Sequence, residues 1–317
     1  MRISAFPKGY LDEMVVQRTK TVYEWIDEAR GLGVDGLELH TGFLWDTSAA
    51  GIDRLGDTIR EAGFQMPMMC ASPDFTHPDA GQRAREIDAQ AEFMRITATL
   101  GGAGAACRIV SGQAHPGVST GQGIEWVVDA ITTLLPLAVE LDILLPIENH
   151  YKASVWTYPE FAQRPAVFHA ILDAIDDRTH FGVQFDPSNA ITAGVDSGDF
   201  LDTVIDRVVT MQASDRYLEA GTSLDDLRQA DGTIGYAPAL KHGVIGQGLN
   251  DYPRIFETLV AAGYDGWISI EDGVNGYDEL KASADFLLDA RERWFSGSRA
   301  VRVRSLEAAR LAAVGGN

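Results

Sequence analysis

Four stretches of the sequence place polar residues where a hydrophobic run stops. Leu144-Leu145-Pro146-Ile147 gives way to Glu148-Asn149-His150, and Val183-Gln184-Phe185 to Asp186-Pro187-Ser188-Asn189. Val209-Thr210-Met211 leads into Gln212-Ala213-Ser214-Asp215, and Trp267-Ile268-Ser269-Ile270 into Glu271-Asp272. Short apolar runs of this kind read as buried strands, so Glu148, Asp186, Gln212 and Glu271 occupy equivalent strand ends. Three carboxylates brought together repel unless one is protonated or they share a cation, and a divalent metal is the simplest such cation. Taken singly, each of these residues could instead cap a helix or solvate a loop. His150 stands two residues beyond Glu148, which puts both side chains on one face of the strand. An imidazole, with an unperturbed pKa of about 6.5, can exchange a proton near neutrality.

The elements that position these ends follow from periodicity. Strands are expected at Arg2–Phe6, Gly36–His40, Gln65–Ser72, Ala106–Gly112, Leu144–His150, Phe181–Asp186, Val208–Ser214 and Gly266–Glu271. Helix-period segments lie between them, the clearest being Val22–Leu32 with Val22, Trp25, Ile26 and Ala29 on one stripe. Gly33, Gly63, Gly101 and Gly263 precede strands and suit left-handed helix caps. Eight strands alternating with eight helices give a single closed (β/α)8 TIM barrel, whose usual size is about 250 residues. The excess falls in a lid-like insertion at 216–250, before the last helix–strand unit, and in a C-terminal helical extension over 296–317. The barrel itself is expected to span 1–295. An open doubly wound sheet is the alternative, but its Gly-rich turn after the first strand is absent. In a barrel the catalytic groups project from the carboxyl ends of the strands.

With the motifs placed, the chain resembles the xylose isomerase-like sugar isomerase/epimerase superfamily. The resemblance runs from about Arg2 to Trp294 and is strongest at Pro146–His150, Phe185–Asn189, Gly246-Gln247-Gly248 and Gly263–Glu271. It implies a mononuclear Mn²⁺, with Mg²⁺ or Co²⁺ as alternatives, held by Glu148, Asp186, the residue at 212 and Glu271. At 212 the family's usual His is Gln here, which makes an all-oxygen site suited to Mn²⁺ or Mg²⁺ rather than Zn²⁺. Gln212 cannot shuttle protons, so His150 is the expected acid–base group beside Glu148 and Glu271.

Further residues are expected to bind substrate: His40 and Glu38 at the end of strand two, Arg108 and His115 around strand four, Asn189, Asp215, and His242 in the insertion. The implied activity is a metal-dependent isomerase or epimerase working through an enolate on a ketose, cyclitol or related sugar. The alternatives are a lyase acting on a 3-oxo-glycoside or inosose, and a non-catalytic sugar-binding barrel.

Composition narrows the partners. Lys and Arg total 26 against 46 Asp and Glu, a formal net charge of −20 over 317 residues. Nucleic-acid binding needs a concentrated basic surface, so an endonuclease-like role on this barrel is disfavoured. No Gly-rich anion loop or Lys/Arg cluster stands near the strand ends, which favours neutral sugars over phosphorylated ones. Cys70 and Cys107 sit in apolar runs and read as reduced core residues. No basic-then-apolar leader and no membrane-length apolar run is visible, so a cytoplasmic protein is expected. The tail from Arg299 to Val314 reads as a weakly amphipathic helix, able to dock on its own barrel or on a second subunit.

Overall fold

The computed structural model describes residues 1–152, 156–226 and 238–296. Its barrel wall starts with β1 (Arg2–Ala5), β2 (Gly36–Leu37), β3 (Leu39–His40), β4 (Met68–Cys70) and β5 (Ala106–Arg108). It continues with β6 (Leu145–Glu148), β7 (Phe181–Phe185) and β8 (Val208–Ala213). After a hairpin of β9 (Asp215–Leu218) and β10 (Leu240–Gly243), β11 (Trp267–Ile270) completes it. The strands pair in the order β2-β1-β11-β8-β7-β6 and β3-β4-β5. Parallel bridges Gly36↔Gln65, Ala106↔Leu144 and Ile109↔Ile147 join the two sheets into one ring. Pairing of Arg2 with Trp267 through Ala5 with Ile270 closes it between the first and last strands. The second expected strand is interrupted at Glu38, which is fully buried.

Local chemistry explains the helices. In α1 (Val22–Ala29), Thr21 and Glu24 form a reciprocal cap, and Val22, Trp25, Ile26 and Ala29 are the buried stripe. Satisfying two otherwise orphaned N–H groups in this way is worth about 1 kcal/mol. Gly33, Gly63 and Gly263 adopt positive φ as their cap role requires, at +77°, +85° and +70°. Gly101 does not. The helix α2 (Ala80–Gly101) includes it, and Gly102 at φ +73° makes the turn. Gly101 is instead a close-packing position, because an added Cβ would stand 2.3 Å from the Met66 carbonyl oxygen.

The insertion begins as the antiparallel pair β9–β10, with His242 opposite Arg216. Its middle, 227–237, and the C-terminal extension lie outside the described residues, and so does a subunit contact through that extension. Both cysteines are buried and free. Among the described residues no helix is long and apolar enough to cross a membrane.

Candidate active site

A cavity of about 410 Å³ opens at the carboxyl ends of the barrel strands. Lys8, His40, Arg108, His150, Asn189 and Glu271 form its polar side. Glu148, Asp186 and Gln212 are buried and do not line it. The ends of β6 and β7 are locked by a reciprocal pair: Asn149 Nδ2 donates to the Asp186 carbonyl at 2.7 Å, and Asp186 N–H donates to Asn149 Oδ1 at 2.8 Å.

Two cations, far apart in sequence, meet the carboxylates. Arg108 donates from Nε to the Ala71 carbonyl at 3.1 Å and from Nη2 to Ser72 Oγ at 2.9 Å, while Nη1 binds Glu148 Oε2. The other Glu148 oxygen accepts from Asn189 Nδ2 at 2.8 Å. Lys8 Nζ pairs with Glu271 Oε1 at 2.9 Å. Burial works against the Lys8 charge, but Glu271 and Asp186 outweigh it and hold the ammonium protonated well above its ordinary range. Burial likewise pushes Glu271 toward its acid form, and Lys8, Arg108 and His150 reverse this, leaving its pKa below the usual value. Asp186 goes the other way: burial, then the charges of Glu271 and Glu148, raise it well above the ordinary carboxylate range.

Asp186 does cap the next helix, as a lone residue at a strand end can. Its Oδ1 accepts the Asn189 N–H at 3.0 Å and the Ser214 hydroxyl at 2.7 Å. Gln212 is held by its nitrogen, which donates to Glu38 Oε1 and weakly to Cys70 Sγ at 3.6 Å. Its carbonyl oxygen is buried without a partner. Gln184 and Ser4 also bury polar atoms without partners. Burial pushes Glu38 up to about 7, against hydrogen bonds from Cys70, Ser269 and Gln212.

His150 packs against Tyr151 and Trp156, with ring centroids at 5.6 and 6.0 Å. Its Nδ1 lies 3.3 Å from Oε2 of the buried Glu160. Glu160 is fixed in turn, because its Oε1 accepts the Ser111 N–H at 2.7 Å and the Ser111 hydroxyl. A fixed carboxylate facing Nδ1 orients the imidazole ring and turns its Nε2 edge away from Glu160. His40 also faces the cavity; its Nδ1 accepts the Gly42 N–H at 3.0 Å, and burial with Arg108 pushes its pKa down to about 4.

Three expected substrate residues lie elsewhere. His115 sits 2.7 Å from Asp74 Oδ2, in a cluster with Gln113 and His77, and does not line the cavity. Asp215 is saturated by backbone: N–H groups of Arg216, Gly246, Gly248 and Asn250 donate to it at 2.9, 3.0, 2.9 and 3.2 Å. It fastens the return of the insertion to the barrel. His242 is off the cavity, and burial, Lys8 and Arg216 push it down to about 2.

Lys8, which lines the cavity, and Glu160, which contacts His150, are the site side chains that sequence reasoning missed. Lys8 follows β1 by three positions, where a basic residue carries no special signal, and its partner is at the far end of the chain. The expected absence of a cationic cluster at the strand ends is corrected by the meeting of Lys8 and Arg108, though each is engaged with a carboxylate.

Among the described residues no three His, Cys, Asp or Glu side chains stand together as a metal site, and Glu148 and Glu271 pair with Arg108 and Lys8. The donor chemistry nevertheless fits a hard divalent ion. Glu148, Asp186 and Glu271 stand at the ends of β6, β7 and β11, with Gln212 on β8 between the last two. Gln212 is anchored by its nitrogen with its oxygen buried and unsatisfied, an arrangement a ligating amide needs.

Comparison with known proteins agrees with this architecture. The chain is similar to a D-tagatose 3-epimerase-like protein at TM-score 0.70 and 16% identity, covering 92% of this chain and 97% of that one. It is similar to the IOLI protein, solved with a bound zinc atom, at TM-score 0.70 and 15% identity over 93% and 100%. For the 3-keto-D-glucoside 4-epimerase YcjR from E. coli the values are 0.66 and 17% over 92% and 99%. No curated protein matches it in sequence. Identities this low speak for the fold alone. The family profile described as xylose isomerase-like TIM barrel matches residues 26–290, and the chain belongs to that family.

Proposed function

We propose that the protein is a divalent-metal-dependent sugar isomerase or epimerase that removes and returns a proton beside a carbonyl. The observation that carries this reading is the presence of Glu271 and His150 on one cavity, with Lys8 and Arg108 beside them. Structural similarity to sugar epimerases supports it. Glu148, Asp186, Gln212 and Glu271 would hold the ion, Mn²⁺ in first place. Once bound, it supplies Lewis-acid polarisation of the substrate carbonyl.

The chain's own groups account for the proton traffic. Glu271, kept ionised by Lys8, accepts the proton from the carbon next to the carbonyl, and the C–H electron pair moves into the enolate. Lys8 and Arg108 are fixed positive charges positioned to stabilise that developing anion without rearranging. His150 is the second proton-handling group, oriented by Glu160. Proton return to the opposite face gives epimerisation, return to the neighbouring carbon gives isomerisation, and loss of a β-substituent gives the lyase outcome. Asn189 and His40 offer hydrogen bonds to sugar hydroxyls.

The test is incubation of the Mn²⁺-loaded protein with ketoses, inososes and 3-oxo-glycosides in D₂O, followed by NMR. Deuterium beside the carbonyl is expected, and an unsaturated product would mark elimination. Absence of exchange across all three classes refutes the enolate reading. Separately, Glu148→Gln and Asp186→Asn should each strip the bound metal; unchanged metal content would refute the ligand set.

A further inference from the structure

The cavity has a second half that a sugar ring does not explain. Leu11, Val15, Val16, Pro73, Ala89 and Phe93 give it an apolar lining apart in sequence from Glu271, His150 and Asn189. Val16 is 73% exposed, the most exposed large hydrophobic side chain among the described residues. Val16 is not isolated, since Leu11 and Val15 line the same cavity, and a contiguous apolar patch of this kind marks a ligand-binding groove.

This wall is built in advance. Residues Asp12–Val16 form one wide helical turn after β1, closed by Gln17 N–H donating to the Asp12 carbonyl at 2.8 Å. The turn is anchored from both sides: Met14 is fully buried in the core, and the Trp45 indole donates to the Met14 carbonyl at 2.9 Å. Arg18 then reverses the chain in the left-handed region at φ +53°, with its guanidinium 5.8 Å from the Trp45 ring. One face of α2 adds Ala89 and Phe93, with Glu86 and Gln90 beside them. A volume of about 410 Å³ also falls in the range of sites for drug-sized ligands, about 300–1,000 Å³.

We infer that the apolar half is an aglycone subsite, and that the substrate is a glycoside carrying an uncharged, apolar, aryl-type group rather than a free sugar. This rests on the sugar reading above and deepens it. The sugar would meet Glu271, His150 and Asn189, while the attached group covers Leu11, Val15 and Val16. Asp12 and Glu86 at the same side disfavour an anionic aglycone.

The experiment is calorimetric binding of matched methyl and 4-nitrophenyl hexopyranosides to the Mn²⁺-loaded protein. The aryl glycosides are expected to bind at least about tenfold more tightly than their methyl counterparts. Val16→Asp and Leu11→Asn should bring that ratio close to one, while Val139→Asp, at an exposed apolar position on another helix, should leave it in place. Val16 is solvent-exposed, so its replacement is compatible with folding. Equal affinities, no binding of either class, or a ratio that survives both wall substitutions overturns the subsite. The two readings fail separately. Aryl preference without deuterium exchange on any sugar keeps the subsite and refutes the enolate chemistry; exchange with no aryl preference does the reverse.

Discussion

Lys8 Nζ stands 2.9 Å from Oε1 of Glu271, linking the loop after β1 to the end of β11. The strands these residues follow are the pair whose register closes the barrel. The ammonium therefore orients Glu271 and competes for it with any other cation. Two unit charges about 4 Å apart interact by about 4 kcal/mol at an effective dielectric of 20, so the competition is strong enough to measure. Lys8→Gln is expected to tighten Mn²⁺ binding by about tenfold or more while lowering kcat. A metal-indicator titration alongside turnover checks both, and unchanged affinity would show that Lys8 and the ion do not share Glu271.

In the proposed mechanism Glu160 acts as a positioning residue, since it contacts His150 and does not line the cavity. Partners of this kind typically contribute about 10–100-fold. Glu160→Ala should lower kcat by that factor with little change in KM. Glu160→Gln should recover most of it, because an amide oxygen can still accept from Nδ1–H. Equal loss in both variants would point to a need for the Glu160 charge itself.

His40 sets an acid-side stability limit. Its folded pKa, about 4, lies below the ordinary 6.5, so between these values the unfolded chain binds the extra proton. Stability from this group is thus complete above about pH 6.5 and declines as pH falls toward 4. The shift corresponds to at most about 3 kcal/mol, reduced by whatever water reaches the cavity. Urea unfolding of the metal-free protein between pH 4.5 and 7 should show this slope, flattened in His40→Gln. Equal slopes would remove His40 from the account.

Asp215 should behave as a fastener. Asp215→Ala leaves backbone N–H groups at 216, 246, 248 and 250 without their acceptor, a loss of about 3 kcal/mol. Gly248→Ala should act through the same joint, since its Cβ would stand 2.3 Å from the Arg216 carbonyl oxygen and 2.4 Å from Asp215 Oδ1. Chemical denaturation and limited proteolysis of the hairpin would register both; wild-type behaviour in Asp215→Ala contradicts the role.

The barrel was legible because alternation and glycine punctuation are local signals. The stripe of Val22, Trp25, Ile26 and Ala29 is buried as its spacing implies, and the strand-end carboxylates stand where apolar runs stop. Helix capping shifted one detail, from Gly101 to Gly102, because two adjacent glycines share a helix end and close packing against Met66 claims the first. What stayed hidden was non-local. Lys8 and Glu271 are joined by barrel closure, and Glu160 reaches His150 through a loop whose geometry no periodicity encodes. Asp215 looked like a pocket residue because a carboxylate beside a strand end reads the same whether it faces a ligand or four backbone N–H groups.

The two buried thiols bear on how the protein can be handled. Burial raises Cys70 well above its ordinary range and pushes Cys107 up to about 12, so neither forms the reactive thiolate near neutral pH. A cysteine introduced at Val16 would then be the one that a maleimide dye finds. Its fluorescence would report arrivals at the rim of the cavity with the native thiols left in place.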